Sequence, residues 1–248
     1  MLMICTAASD IITKKTAGAV CNYNLRMFYK GMMMEVNVMG KNILIITGSP
    51  RANGNSNTLA AAFAGGATAA GNTVEVLDAC ALKMDGCHGD ASCHERGCCG
   101  LKDDGVKLHE KMCWADVLVL VTPIYWKSFT SQIKKVVDRL YPFAAPKARA
   151  QCTVKETYLI ATANNPDPAV FGPIKEEFAL VNTLLQFECK GQLLCGGLGG
   201  PDAIDEHPEY VEAAVKLGVG IDGAKAEASA QQFSKELSYI NKLRSRGL

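Results

Sequence analysis

The sequence predicts an α/β domain built on a parallel sheet with helices on both faces. Three observations carry this. Short runs such as NILIIT at Asn42–Thr47 and DVLVLV at Asp116–Val121 are apolar throughout and rich in β-branched residues, as expected of strands buried on both faces. Each run is followed by a polar, turn-forming loop and then a helical stretch. The alternation repeats along the chain, which right-handed crossovers turn into a doubly wound sandwich.

The elements follow in order from Lys41. Asn42–Thr47 is the first strand, and Gly48 to Asn55 is a turn-forming loop. Ser56 or Asn57 can cap a helix through LAAAFAGGATAA, which Gly71 can end. Thr73–Leu77 (TVEVL) is a second strand, and a cysteine-rich loop runs from Cys80 to Asp104. A short helix over Asp104–Cys113 leads to the third strand, Asp116–Val121. The loop Thr122–Ser128 (TPIYWKS) precedes a helix through IKKVVDRLY. Glu156–Ala163 is a fourth strand, Pro173–Phe187 a helix, and Gln192–Cys195 a fifth strand. Helices over Pro208–Leu217 and about Ala224–Leu243 close the chain.

Residues 1–40 differ. Met1–Met39 holds seven methionines and shows no clear strand or helix period. The expectation is an extension outside the fold, disordered or read from an upstream start codon, with Met34 or Met39 as the start. Residues 41–248 form one domain, without internal repeat, low-complexity tract or domain-sized linker.

Composition narrows the function classes. Lys plus Arg is 26 against 25 for Asp plus Glu, a net charge of +1, which gives no hint of nucleic acid or an anionic membrane as a partner. No apolar run reaches the length of a membrane helix. The eleven cysteines lack the spacing of a disulfide framework, and no secretory segment opens the chain. A reducing cytoplasm is the expected compartment.

Ligands of such a sheet bind at the carboxyl ends of the strands, near the switch in strand order. The loop Gly48–Thr58 (GSPRANGNSNT) leaves a buried strand and enters a helix N-terminus, where free backbone N–H groups favour an anion. Ser49, Ser56, Asn57 and Thr58 can add neutral hydrogen bonds, and Arg51 a charge-assisted one. No Gly-Lys-Ser/Thr follows, and GxGxxG is absent, so the suggested ligand is a terminal phosphate ester rather than a nucleoside triphosphate or dinucleotide. In the second loop, Pro123 fixes the backbone as it leaves the sheet. The N–H groups of Ile124, Tyr125 and Trp126 can face the edge of a flat polar ring, and Tyr125 and Trp126 can pack on its face or rim. A phosphate loop beside an aromatic loop suggests a phosphorylated aromatic cofactor.

GSPRxxGNSxxL, the cysteine segment with its Asp-Asp, ADxxxxxTPIYW and KxxxDR together resemble the flavodoxin-like NADPH-dependent FMN reductase family, nearest its iron-sulfur flavoprotein branch. The resemblance runs from about Lys41 to about Gly220. It implies a flavodoxin-like five-stranded parallel sheet of order 2-1-3-4-5. It assigns Ser49, Arg51, Asn55, Ser56, Asn57 and Thr58 to an FMN phosphate, and Pro123, Ile124, Tyr125 and Trp126 to the isoalloxazine ring. Asn164, in the loop after the fourth strand, would cover the flavin's other side. Lys134, Asp138 and Arg139 also fit the family pattern and are read as structural, Asp138 and Arg139 fixing the helix or an oligomer contact rather than carrying out chemistry. A homodimer or homotetramer is implied.

The iron-sulfur branch uses four closely spaced cysteines. Cys87, Cys93 and Cys99 match the first, third and fourth positions, and Asp90 stands at the second. Asp90 or Cys98 would be the fourth metal ligand. A hard carboxylate suits a soft cluster poorly, which speaks against a complete four-iron cluster. Zinc lacks the closely paired cysteines of structural sites here, and no C-x-x-C supports a thiol redox pair.

The expected function is an FMN-dependent NAD(P)H oxidoreductase reducing a small acceptor such as a quinone or a flavin. The flavin would carry the chemistry, with no catalytic side chain. The alternative is an iron-sulfur flavoprotein electron carrier that exchanges electrons with a ferredoxin-like partner.

Overall fold

The computed structural model describes residues 22–29 and 32–221, with side chains from residue 40 onward. Strands β1 (Asn22–Tyr29) and β2 (Met32–Met39) pair antiparallel, Asn22 opposite Met39 and Tyr29 opposite Met32, in a sheet of their own. An extension without secondary structure was expected of residues 1–40, and these strands were not foreseen. The run Met32–Met34 interrupts the alternation that would have marked a strand. Residues 1–21 and the closing helix expected at 224–243 lie outside the described residues.

The main sheet has five parallel strands: β3 (Asn42–Thr47), β4 (Thr73–Asp78), β5 (Val117–Pro123), β6 (Glu156–Thr162) and β7 (Glu188–Cys195). Their spatial order is β4-β3-β5-β6-β7, which is 2-1-3-4-5 counted within this sheet, and this is the flavodoxin-like order. The register aligns Ile45 with Val76 and Val119, and Val119 with Tyr158. β7 begins four residues before the predicted strand. Glu188–Lys190 is polar and exposed at a sheet edge, so no apolar run announced it.

The period-2 geometry of the strands divides the core in two. Ile43, Ile45, Val117, Val119, Val121 and Ile160 point to one face. Helices α1 (Asn55–Ala69) and, late in the chain, Pro208–Val219 cover it with Leu59, Phe63, Ala67 and Ala214. Leu44, Ile46, Leu118, Leu120, Leu159 and Ala161 point to the other. There a short helix α2 (Cys93–Arg96) sits in the cysteine loop, and α3 (Gly105–Trp114), α4 (Ser131–Arg139), α5 (Pro146–Arg149) and α6 (Gly172–Leu185) follow. Leu108, Met112, Ile133, Val136, Ala148, Ile174 and Phe178 are their core contacts. Pro208–Val219 is α7.

The two layers together fix where the strand ends point. β3 and β5 are neighbours, yet their chains leave toward opposite faces, into α1 and α4. That divergence opens the crevice in which such sheets bind ligands.

Candidate functional site

The first wall of the crevice is the loop from Gly48 to Gly54. The Gly48 N–H donates to the Val121 carbonyl at 2.8 Å, and the Thr130 hydroxyl donates to the Gly48 carbonyl at 2.9 Å. Gly48 is required by this close approach, since a Cβ there would lie 2.1 Å from Cγ1 of Ile133. Gly54 caps α1 in extended geometry, and no side chain caps the helix. The Asn57 and Thr58 amides turn back to the Gly54 carbonyl, whereas those of Asn55 and Ser56 have no backbone partner among the described residues. No acidic residue lies in the first turn of α1. The helix therefore presents open donors and the positive end of its dipole.

The predicted phosphate residues occupy different positions around this loop. Ser49 is buried and lies within the turn, its Oγ 3.3 Å from the Arg51 amide. Arg51 stands exposed on the rim. Thr58 is half-buried in the first turn of the helix. Three further residues, besides Ser49, have their side chains engaged by protein. Asn57 Nδ2 donates to the carbonyls of Arg51 and Ala52, both at 3.0 Å, and locks the loop. Asn55 bridges to the segment after β7, donating to the Gly200 carbonyl at 2.8 Å and accepting from the Ile204 amide at 3.1 Å. The Ser56 hydroxyl is 2.7 Å from that of Thr162 at the end of β6. Oδ1 of Asn57 is buried without a partner, an acceptor still in want of a donor.

Thr162 joins the first wall to the second. Its side chain meets Ser56, and its carbonyl accepts from the Ile124 amide at 2.8 Å. Pro123 ends β5 in register with Thr162. Tyr125 and Ser128 then exchange two backbone hydrogen bonds of 3.1 Å, closing a two-residue turn. Its central residues, Trp126 and Lys127, have φ of 53° and 64°. That is the geometry of a hairpin turn normally given to Asn-Gly. Holding non-glycine residues there costs roughly 1–3 kcal/mol each. Trp126 is 100% exposed and Tyr125 is 43% exposed, so neither is a core residue. Ser128 Oγ donates to Glu177 Oε2 on α6 at 2.6 Å.

Asn164 is exposed in the loop after β6 and packs closely on Gly199, where a Cβ would lie 2.6 Å from its Oδ1. The loops after β3, β5 and β6 thus share one end of the sheet. Thr130, Thr162 and Glu177 tie them together. Each acts through a contact between distant segments, and no local motif signals it.

The cysteine loop lies beside this end. Ala79 continues β4 by donating to the Thr47 carbonyl, and Cys80 Sγ is 3.3 Å from the Ser49 carbonyl. Arg139, whose side chain is almost wholly buried, clamps the far end of the loop. Its guanidinium donates to both oxygens of Asp103 at 2.7 and 2.8 Å, and to the Asp85 carbonyl at 2.8 Å. The Arg139 hydrogen bond, ahead of the others from the Gly105 and Asp85 amides, holds the Asp103 carboxyl well below the usual range despite its burial. Asp138 instead pairs with Lys134 on the exposed face of α4. Arg139 therefore fixes the helix and loop, the structural role expected of it.

Cys87, Cys93 and Cys99 line one cavity of about 260 Å³ with His88, Asp90 and Arg139. Cys93 is buried, Cys99 is half-buried, and Cys87 and Cys98 are exposed. Burial first, then the nearby Cys99, pushes the Cys93 thiol up. The Asp90 carboxylate is engaged by its neighbours in the loop. Its Oδ1 accepts from the Ser92 amide at 3.0 Å and the Ser92 hydroxyl at 2.7 Å, and Oδ2 is 3.9 Å from Arg96. Among the described residues, no three His, Cys, Asp or Glu side chains are grouped to hold a metal ion. Cys195, by contrast, is buried in the core, and desolvation pushes its thiol up to about 12.

Comparison with known proteins agrees with this geometry. Residues 41–165 match the family model described as NADPH-dependent FMN reductase. An iron-sulfur flavoprotein of Archaeoglobus fulgidus is 31% identical over 98 residues, 40% of this chain and 44% of that protein. A protein of Bacillus subtilis named putative NAD(P)H-dependent FMN-containing oxidoreductase YwqN is 27% identical over 122 residues, 47% of this chain and 66% of that one. The chain matches about half the length of the first curated relatives, 44% and 52%. Among solved structures, the NAD(P)H:quinone oxidoreductase from Methanothermobacter marburgensis superposes with a TM-score of 0.57 at 21% identity, over 73% of this chain and 96% of that one, a likeness of fold. The matched segment begins just before β3, ends just after β6 and takes in all three loops of the crevice, so the chain belongs to the NADPH-dependent FMN reductase family.

Proposed function

We propose that the chain binds FMN and uses it to carry electrons from NADH or NADPH to a small acceptor such as a quinone or a free flavin. The observation that carries this is the convergence of two loops on adjacent strands. An open helix N-terminus follows β3, an aromatic turn follows β5, and Thr162 links them. The residues fit the cofactor. The free amides of Asn55 and Ser56, with Ser49 and Arg51, suit a phosphate. The orphaned Asn57 oxygen suits a hydroxyl donor of the ribityl chain. Ile124, Tyr125 and Trp126 suit the ring, and Asn164 stands on the loop beside it. Family membership supports the nicotinamide as reductant.

Bound FMN supplies the hydride chemistry, and the protein supplies position and polarity. Asn57 and Asn55 hold the phosphate loop rigid, and Thr162 keeps the two walls in register. No side chain is assigned a proton-transfer role.

The purified protein is expected to be yellow, to release FMN rather than FAD on denaturation, and to oxidise NAD(P)H faster when a quinone is added. A colourless protein that cannot be reconstituted with FMN would overturn the proposal. Reduction only by a ferredoxin-like protein, with no NAD(P)H oxidation, would favour the electron-carrier reading instead.

Trp126 and Tyr125 leave an aromatic surface open at the crevice, which favours a homodimer or homotetramer in which a second copy covers it. Light scattering that finds a monomer with full flavin content would refute this. The cysteines of the described residues are all unpaired, in keeping with a reducing cytoplasm. Among the described residues, no helix is long and apolar enough to cross a membrane.

A further inference from the structure

We infer that Glu177 is a positioning residue: its hydrogen bond to Ser128 holds the turn that presents Tyr125 and Trp126 to the ring of the cofactor. The inference rests on the reading that this turn lines the flavin. Three observations carry it. The turn is strained, with both Trp126 and Lys127 at positive φ, so it does not persist on local preference alone. Its own closure consists of the two Tyr125–Ser128 backbone bonds, and at its exposed tip Trp126, 100% exposed, has no packing to hold it. The side-chain anchor is Ser128 Oγ to Glu177 Oε2 at 2.6 Å, a short charge-assisted bond spanning 49 residues.

The anchor has a rigid base. Glu177 sits in the middle of α6, between Ile174 and Phe178, which are wholly buried against the main sheet. At the other end of the turn, the Ile124 amide is fixed to the Thr162 carbonyl. The loop is thus pinned to β6 before the strained pair, and after it by Ser128 to α6, with the buried Phe129 and Thr130 anchoring the chain beyond, so that Glu177 is the side-chain pin at the turn itself. Removal of Glu177 frees one pin, and the turn relaxes away from the crevice. The expected consequence is weaker flavin binding without loss of the fold.

The test uses the full chain in a Trp114→Phe background, where Trp126 is the sole tryptophan. Glu177→Ala, Glu177→Gln, Ser128→Ala and the Glu177→Ala/Ser128→Ala pair are compared by Trp126 fluorescence anisotropy without FMN, by FMN titration and by thermal melting. Expected are a fall in anisotropy and about tenfold weaker FMN binding in Glu177→Ala and in Ser128→Ala, no further change in the double variant, and recovery toward the parent in Glu177→Gln, which keeps an acceptor oxygen. Melting should change little, which separates positioning from general stability. Unchanged anisotropy in Glu177→Ala would overturn the inference. A fall in anisotropy with unchanged FMN affinity would instead refute the reading that the turn lines the flavin.

Discussion

At the residue scale, the Arg139–Asp103 pair is the most heavily committed ionic contact of the described residues. Its guanidinium side chain is 1% exposed and the carboxylate 17%. Asp103→Asn would leave the buried cation without its counter-charge, and a loss of about 3–5 kcal/mol is expected at neutral pH. The pH dependence follows from the lowered carboxyl. Its pair contributes fully above the unfolded value of about 4 and is lost as pH falls through the lower folded value. Urea unfolding of the parent and of Asp103→Asn should therefore differ widely at pH 7 and converge in acid below about pH 4. A constant difference across that range would show that the charge is not what matters. Arg139 was legible in the sequence as structural, but its partner was not. Nothing in the Asp103-Asp104 dipeptide shows that the first carboxylate turns inward to α4 while the second binds the Lys83 amide at 2.8 Å. The same limit applies at the phosphate loop. Residue type marked Asn55, Ser56 and Asn57 as polar loop residues, yet their partners, Gly200, Thr162 and Arg51, are set by tertiary contact.

At the element scale, the strands and long helices were legible because burial on both faces leaves apolar runs and helical faces leave a 3.6-residue period. β3 is predicted at its observed bounds, Asn42–Thr47. The exposed start of β7 and the one-turn helices α2 and α5 were not, since neither carries enough residues to show a period. The contact between α1 and α7 was equally hidden, because it depends on glycines. A Cβ on Gly66 would lie 2.3 Å from the Val215 carbonyl oxygen, and one on Gly218 would lie 2.2 Å from that of Phe63. The two helices meet backbone to backbone. Gly218→Ala must push them apart and should cost about 1–3 kcal/mol, despite alanine's higher helix propensity. Gly65 is the control. It lies on the exposed side of α1 with no atom within 4 Å of its would-be Cβ, so Gly65→Ala should stabilise by about 0.5–1 kcal/mol. Chemical denaturation of the two variants checks the opposite signs. Destabilisation of similar size in both would mean that the helix contact is looser than the structure shows.

At the scale of the whole molecule, the question is whether the cysteine loop needs a metal to fold. A loop organised by a cluster should depend on it, because metal binding and folding are then one event. Here protein contacts do that work. Asp104 and Lys83 exchange backbone and side-chain hydrogen bonds, Arg139 binds Asp103 and the Asp85 carbonyl, and Lys147 Nζ donates to the Glu95 carbonyl at 2.9 Å. The residue at the second cluster position is already used, since Asp90 holds Ser92 at the start of α2. Three thiols remain around the cavity, and a fourth from Cys98 would require the segment after α2, where Cys98 is exposed, to turn inward. The expected outcome is that protein purified without oxygen carries FMN but far fewer than about four irons and four acid-labile sulfides per chain, the content of a complete cubane cluster. Treatment with a chelator should leave the melting temperature and the flavin content unchanged. Cys93→Ser should leave NAD(P)H oxidation unchanged, as the thiol would then be no ligand. A full complement of iron and sulfide, with a paramagnetic signal after reduction, would refute this and shift the function toward electron transfer. In that case Asp90→Cys should make the cluster more resistant to air, because a thiolate suits its soft iron better than a carboxylate does.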